Sequence, residues 1–308
     1  MPTPASPFKL GTRGSPLALV QANMVRAALM AAHGWDDGAI EIVTVKTTGD
    51  LVQDRALSEL GGKALWTKEL DRALDDRSID FAVHSMKDVE TVRPEAIAIA
   101  AMLPRADVRD RLIGADSIAA LPQGARIGTS SPRRGAQLLR ARPDLEIVLF
   151  RGNVDTRLGK LARGEAEATL LAAAGLERLE RPDIGTPIPI ETMLPAPSQG
   201  AVGIECLAER GDVHALIAAI DHAPTSHCVR AERALLERLG ADCRAPVAAL
   251  AIFDGEAIRL RAEIIAMDGS LSESGEIRIA PGDHAPVTAL AETLLDRAAP
   301  PLRALFAG

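Results

Sequence analysis

The sequence predicts an α/β protein, with two similar α/β domains flanking a cleft and a smaller α+β domain at the C-terminus. Three observations predict it. Through the first half, short apolar runs alternate with longer segments of helical periodicity, the pattern of a mainly parallel sheet with crossover helices. A strand-to-helix motif occurs twice, as Lys9-Leu10-Gly11-Thr12-Arg13-Gly14-Ser15-Pro16 and as Arg126-Ile127-Gly128-Thr129-Ser130-Ser131-Pro132. From Thr225 the pattern changes to a helix, alternating strands and a last helix. At 308 residues the chain has material for more than one core, since single domains usually run about 100–150 residues.

In each copy of the motif a short strand meets Gly-Thr, then a Ser as N-cap and a Pro at the first helical position. The first helix carries Leu17, Val20, Met24 and Ala28 at helical spacing until Gly34 supplies a stop. Ile40 to Thr47 alternates at period two. Gly61-Gly62-Lys63-Ala64-Leu65-Trp66 reads as a flexible loop before a helix over Thr67 to Asp76, and Ile79 to Ser85 as a buried strand entering a polar loop. In open α/β sheets ligands bind at such carboxyl ends of strands. Pro104-Arg105-Ala106-Asp107 interrupts the pattern, and the Pro-rich stretch Thr186 to Gln199 reads as a connector into a strand-like return, Gly200 to Cys206. Crossings at Leu103–Asp107 and Pro197–Gly200 make the second domain an insertion in the first. Domain 1 then covers 1–104 and 200–223, domain 2 covers 105–199 and domain 3 covers 224–308, with a hinge at the double crossover. In domain 3 a helix places Cys228, Ala231, Leu235 and Leu239 on one face; strands follow at Val247–Phe253, Ile258–Ile265 and Glu276–Ile279, and a helix from about Ala285.

A net charge of −7 and a pI near 5.5 argue against a protein whose main business is binding nucleic acid, so any anion site is a local pocket. The start, Met-Pro-Thr-Pro-Ala-Ser-Pro, shows neither a basic region before an apolar run nor a cleavage site, and no stretch is long enough to span a bilayer; a soluble, intracellular protein is expected. Three cysteines without Cys-x-x-Cys spacing suggest neither a disulfide framework nor a zinc ribbon, and Cys206 and Cys228 read as buried small hydrophobes. His222, His227 and Cys228 do not share one helical face, so no metal is expected. Neither a Gly-x-Gly-x-x-Gly nor a Walker loop is present, which indicates neither a dinucleotide nor a nucleoside triphosphate.

Arg13 and Ser15, Arg133 and Arg134, and Arg151 with Arg157 all fall in or beside strand-to-helix loops. Cations beside a helix N-terminus oppose its dipole, so such a set suits a ligand with several carboxylates better than solvated decoration does. His84-Ser85-Met86-Lys87-Asp88 brings an acid and a base to the mouth of a strand, as a loop salt bridge or as a proton acceptor near a cation. Trp66 is either a stacking surface for a flat ring or an ordinary core aromatic. Cys243 lies in a loop on neither apolar face, where Arg244 favours a thiolate and Asp242 opposes it.

Taken in order, Thr12–Leu19, Gly61–Leu70, His84–Asp88, Gly128–Arg134, Arg151–Leu158, Ser198–Glu205 and Cys243–Val247 resemble the hydroxymethylbilane synthases, also called porphobilinogen deaminases, over nearly the whole chain. The resemblance implies that the first two domains are related to type II periplasmic binding proteins, and that a dipyrromethane cofactor is joined by a thioether to Cys243. It implies that the aspartate at Asp88 assists loss of ammonia from porphobilinogen, stabilises the cation left behind and helps manage the proton lost after coupling. Four units are added in turn, and the linear tetrapyrrole is released by water and passed to a downstream tetrapyrrole-cyclising enzyme. Cofactor and substrate carboxylates are assigned by the same resemblance to Arg13, Ser15, Lys63, Lys87, Thr129, Ser130, Arg133, Arg134, Arg151, Arg157, Arg178 and Gln199, with Trp66 against the substrate. A cytoplasmic monomer is implied.

The sequence departs from the commoner family pattern in having Trp66 where many relatives have Phe, and Asp242 where many have Gly or Ser. Two rival readings are a non-catalytic anion-binding protein and an effector domain of a transcription regulator. The first needs neither Asp88 nor Cys243, and the second lacks a helix-turn-helix and the charge for DNA.

Overall fold

The computed structural model describes residues 6–47, 66–242 and 244–306. They form two compact units, one from 6–47, 66–106 and 200–226, the other from 107–199 and 227–306.

The first unit is a five-stranded sheet in the order β2-β1-β3-β10-β4, built from β1 (Phe8–Arg13), β2 (Ile40–Val45), β3 (Phe81–Ser85), β4 (Ile97–Met102) and β10 (Val202–Leu207). β1 pairs in parallel with β2 and β3, whereas β10 runs antiparallel to β3 and β4. Helices α1 (Pro16–His33), α2 (Lys68–Asp75) and α6 (Gly211–Ala218) belong to the same unit. Its main core joins Leu10, Phe81, Val83, Val202 and Ile204 of the sheet to Ala22, Val25 and Leu29 of α1.

Helix α1 starts and stops where its caps direct. Ser15 Oγ accepts from Ala18 N, Pro16 opens the helix, and Gly34 closes it with φ at +67°, in the left-handed region where glycine carries no Cβ penalty. The buried face is not the one marked by the spacing of Leu17, Val20, Met24 and Ala28. Ala18, Gln21, Ala22, Val25 and Leu29 face inward, whereas Met24 is 38% exposed and Leu17, Val20 and Ala28 are half-buried. The helix is apolar nearly all round, so its periodicity selects no single face, and packing on β1 and β3 decides.

The second unit repeats the arrangement in the order β7-β6-β8-β5-β9, from β5 (Asp110–Ile113), β6 (Arg126–Gly128), β7 (Glu146–Val148), β8 (Ala168–Ala172) and β9 (Thr186–Pro187). Again three parallel strands are joined by an antiparallel fourth, here β5. Helices α3 (Pro132–Ala141), α4 (Val154–Ala162) and α5 (Ala173–Arg178) follow β6, β7 and β8. The motif detected twice in the sequence is therefore the same strand of the same topology, β1 in one unit and β6 in the other. Its glycine has a packing cause in both: a Cβ on Gly11 would lie 2.3 Å from Ile79, and one on Gly128 2.3 Å from the Phe150 ring.

A third, three-stranded antiparallel sheet, β11 (Val247–Asp254), β12 (Ala257–Ile265) and β13 (Ser272–Ile279), completes the second unit with α7 (Ala223–Arg238, counted here from residue 227), α8 (Ala285–Arg297) and α9 (Pro300–Arg303). Cys228, Ala231, Leu235 and Leu239 do form one buried face of α7, packed on alternate residues of β11 and β12. This small sheet is joined to the rest of its unit by Gln137 Nε2 donating to Glu263 Oε2 at 3.1 Å, by the Arg140–Glu263 ion pair, and by Leu194 packed on Ala248 and Leu250. No helix among the described residues is long and apolar enough to cross a membrane.

Candidate functional site

Adjacent parallel strands put their carboxyl ends side by side, and in the first unit β1 and β3 deliver Arg13, Ser15, Ser85 and Asp88 to one place. An open pocket there is lined by Arg13, Ser15, Gln21, Trp66, His84, Ser85 and Asp88, together with the apolar Leu17, Ala18 and Val83. The β3 strand passes into a single 3-10 turn, Met86–Asp88, whose Met86 side chain is buried against Gly203 of β10. This anchors the turn and leaves Asp88 half-buried, with no hydrogen bond or ion pair to its carboxylate among the described residues. The loop salt-bridge reading therefore does not apply, because Lys87 and Asp88 do not pair. Gln21 Nε2 donates to Ser85 Oγ at 2.8 Å and fixes the pocket floor.

Trp66 is half-buried and lines the pocket, with the Arg13 guanidinium 3.9 Å from its ring centroid. Half-buried with the Arg13 cation over its ring, it is not packed in the core.

The second unit presents donors at the ends of β6, β7 and β8. Thr129 and Ser130 follow β6 directly, and Ser131 caps α3 by accepting from Arg134 N. Arg151 is buried just beyond β7, and Arg157 donates Nε to Gly152 O at 3.0 Å and Nη2 to Ser130 Oγ at 3.4 Å. Arg178 closes α5, where burial lowers its pKa. Arg133 and Arg134 are 3% and 6% exposed, and each gives an Nη2 to a different oxygen of Asp110 at 2.7 Å. Gln199 Nε2 also donates to Asp110, at 2.9 Å. Burial opposes ionisation of Asp110, but the two guanidinium groups overcome it and hold the carboxyl well below the usual range. The triad carries two cations on one anion, and the Nε of each arginine is buried with no partner among the described residues. Arg133 Nη1 is taken by Gln137 Oε1 and Leu194 O, and Arg134 Nη1 by Leu170 O, so the net positive charge and the two Nε groups are what remains for a group rich in carboxylates.

Lys63 and Cys243 lie outside the described residues. Beside the latter, Asp242 is paired with Arg244, whose Nε reaches Asp242 Oδ2 at 2.9 Å and whose backbone N reaches Oδ1 at 2.8 Å. The carboxylate that sequence reasoning set against a thiolate is thus neutralised by the cation that favours one. Burial pushes the Cys206 thiol up to about 11, in keeping with an inert core cysteine.

Sequence reasoning missed two features. One is Asp110, the buried first residue of the short strand Asp-Arg-Leu-Ile, which carries no motif. The other is Arg93, whose side chain is surrounded by Asp71, Glu90 and Glu205, three acids far apart in the sequence. An apolar strand interrupted by one acid, as in Ile204-Glu205-Cys206, is the unread signal that calls for a buried cation.

The porphobilinogen deaminase "dipyromethane cofactor binding domain" is matched by residues 8–215, and the C-terminal domain of the same family by residues 226–296. The chain is 58% identical to the porphobilinogen deaminase of Sphingopyxis alaskensis over 311 aligned positions, covering 99% of this chain and 98% of that protein. Against the porphobilinogen deaminase of Paracoccus denitrificans the identity is 50%, covering 97% and 96%. Among solved structures, substrate-binding domain 2 of Lactococcus lactis GlnP in its open conformation is similar at a TM-score of 0.43 and 11% identity, over 77% of this chain and 93% of that one. The VFT2 domain of Bordetella pertussis BvgS, as a double mutant, gives 0.40 and 14%, over 70% and 87%. With both segments matched in order and half or more of the positions shared with full-length relatives, the chain belongs to the porphobilinogen deaminase family.

Proposed function

We propose that the first-unit pocket is where this member of the porphobilinogen deaminase family handles its substrate, with Asp88 as the catalytic carboxylate. The family activity is the stepwise deamination and head-to-tail joining of porphobilinogen on a dipyrromethane cofactor, giving hydroxymethylbilane and ammonia. The observation that carries the assignment is the meeting of Asp88, whose carboxylate has no partner among the described residues, with Arg13, Ser15 and Trp66 in one pocket.

Arg13 and Ser15 bind the acetate and propionate groups of the substrate, with Lys63 assisting, and Trp66 packs on the pyrrole ring. Breaking the aminomethyl C–N bond releases ammonia and leaves a cationic methylene on the substrate. Asp88 faces that cation and stabilises it electrostatically. After the new C–C bond forms, Asp88 accepts the proton that the attacked pyrrole carbon loses, and aromaticity returns. When bound, the dipyrromethane supplies the first electron-rich pyrrole carbon to be extended. Cys243 holds it through a thioether, and Lys87, Thr129, Ser130, Arg133, Arg134, Arg151 and Arg157 bind its carboxylates, with Arg178 and Gln199 serving the growing chain. Four additions precede release by water. The enzyme acts as a cytoplasmic monomer, and its product passes to an enzyme that closes linear tetrapyrroles.

The test is intact mass before and after adding porphobilinogen, on the wild type and on Cys243→Ser. The wild type is expected to exceed its sequence mass by a dipyrromethane and to gain regular pyrrole increments, and the variant to do neither. A wild type of bare sequence mass that stays unchanged with substrate overturns the assignment of Cys243.

A further inference from the structure

We propose that Arg93, which does not line the pocket, is a positioning residue for the reaction. It clamps the segment carrying Asp88 to the segment carrying Trp66 and so fixes these two lining residues of the pocket relative to each other. The inference rests on the reading of Asp88 and Trp66 given above.

One guanidinium meets four residues of the first unit. Its Nε and Nη2 take both oxygens of Glu205 on β10, each at 2.9 Å, a bidentate pair. Nη2 also reaches Asp71 on α2 at 2.5 Å, and Nη1 reaches Glu90 at 2.7 Å and the Thr67 hydroxyl at 3.3 Å. Thr67 in turn donates to Glu90 Oε2 at 2.7 Å. Thr67 directly follows Trp66, and Glu90 lies two residues beyond Asp88, so this network links close neighbours of the two lining residues. Glu205 is fully buried, and its Oε2 lies 3.2 Å from Nε2 of His84, itself a pocket residue. The clamp thereby reaches the pocket floor as well.

The physical need is plain. Between the 3-10 turn and β4 the chain makes no regular element, so its position depends on side-chain ties. A rigid planar fork can serve three carboxylates in fixed directions, whereas a lysine ammonium offers a point charge on a flexible stem. Misplacing a reacting group by about 1 Å costs on the order of 10²-fold in rate.

The test uses the full chain carrying Trp35→Phe, which leaves Trp66 as the only tryptophan. Arg93→Lys in that background is expected to load cofactor and keep KM for porphobilinogen within about twofold, while kcat per loaded molecule falls about 10–100-fold. Trp66 emission is expected to move to the red, with readier quenching by acrylamide. A lowered thermal midpoint with unchanged kcat per loaded molecule and unchanged Trp66 emission overturns the proposal, because Arg93 then serves stability alone. If Arg93→Lys does not fold, Thr67→Val removes the Thr67 to Glu90 bond and leaves the ion pairs; the same red shift with a smaller loss of kcat supports the clamp, and no change in either overturns it. Asp88→Ala is measured separately. Retained turnover there removes the reading of Asp88, while the Trp66 emission of Arg93→Lys still reports on the clamp.

Discussion

Asp88 illustrates what a residue's surroundings add to its type. The tetrad His84-Ser85-Met86-Lys87 placed it at a strand mouth, but only the three-dimensional arrangement shows its carboxylate, without a partner among the described residues, beside Arg13 and Trp66. Asp88→Ala is expected to fold with an unchanged thermal midpoint and to lose about 10²–10⁴-fold in kcat, the range of positioned acid–base catalysis. Turnover assays on the purified variant check it. Glu205 makes a second prediction at this scale. Burial disfavours its charged form most, yet His84 and Arg93 together bring its pKa down to about 2 from an ordinary 4.5. A carboxylate depressed in the folded state contributes stability above the unfolded pKa and loses it as pH falls through the folded one. The contribution, about 3 kcal/mol for a shift of this size, is expected to fade between about pH 4.5 and 2. Urea titrations across that window are expected to show a steeper fall for the wild type than for Glu205→Gln, and equal slopes would count against the assignment.

Elements are governed by caps and close approaches, which are local, and by faces, which are not. The Ser-Pro starts at Ser15 and Ser131 and the Gly34 stop were legible because a cap concerns only its own turn. The buried face of α1 was not, because an almost wholly apolar helix offers the sheet several faces of similar hydrophobicity. The repeated glycine of the motif is tied to its neighbours, so Gly128→Ala is expected to cost about 1–3 kcal/mol through collision with the Phe150 ring. Phe150→Leu in the same chain is expected to recover part of it. Thermal midpoints of the single and double variants test this, and a fully additive pair would argue against the contact.

For the whole molecule, the return of the chain matters most. β10 enters the first sheet only after the second unit's five strands are complete, so Glu205 meets Arg93 more than a hundred positions away. In the second unit the connector ends on Gln199, which joins the Asp110 triad. Asp110→Asn leaves two buried guanidinium groups facing a neutral amide, and is expected to destabilise that unit by about 3–5 kcal/mol. It is also expected to weaken retention of the cofactor, read as a smaller bound mass fraction; a stable protein with full cofactor content would show that the triad is not needed.

The sequence by itself determined the α/β class, the duplicated strand-to-helix motif, the capped helix starts and the loops that carry the family's chemistry. These depend on periodicity, caps and motifs read within a few residues of one another. Which residues meet was decided only by tertiary structure. The pocket of Arg13, Trp66 and Asp88, the Arg93 clamp and the Asp110 triad join positions that parallel pairing and two chain crossings bring together. A buried charge is tolerated only where its partner arrives, and that partner lies outside any local window of sequence.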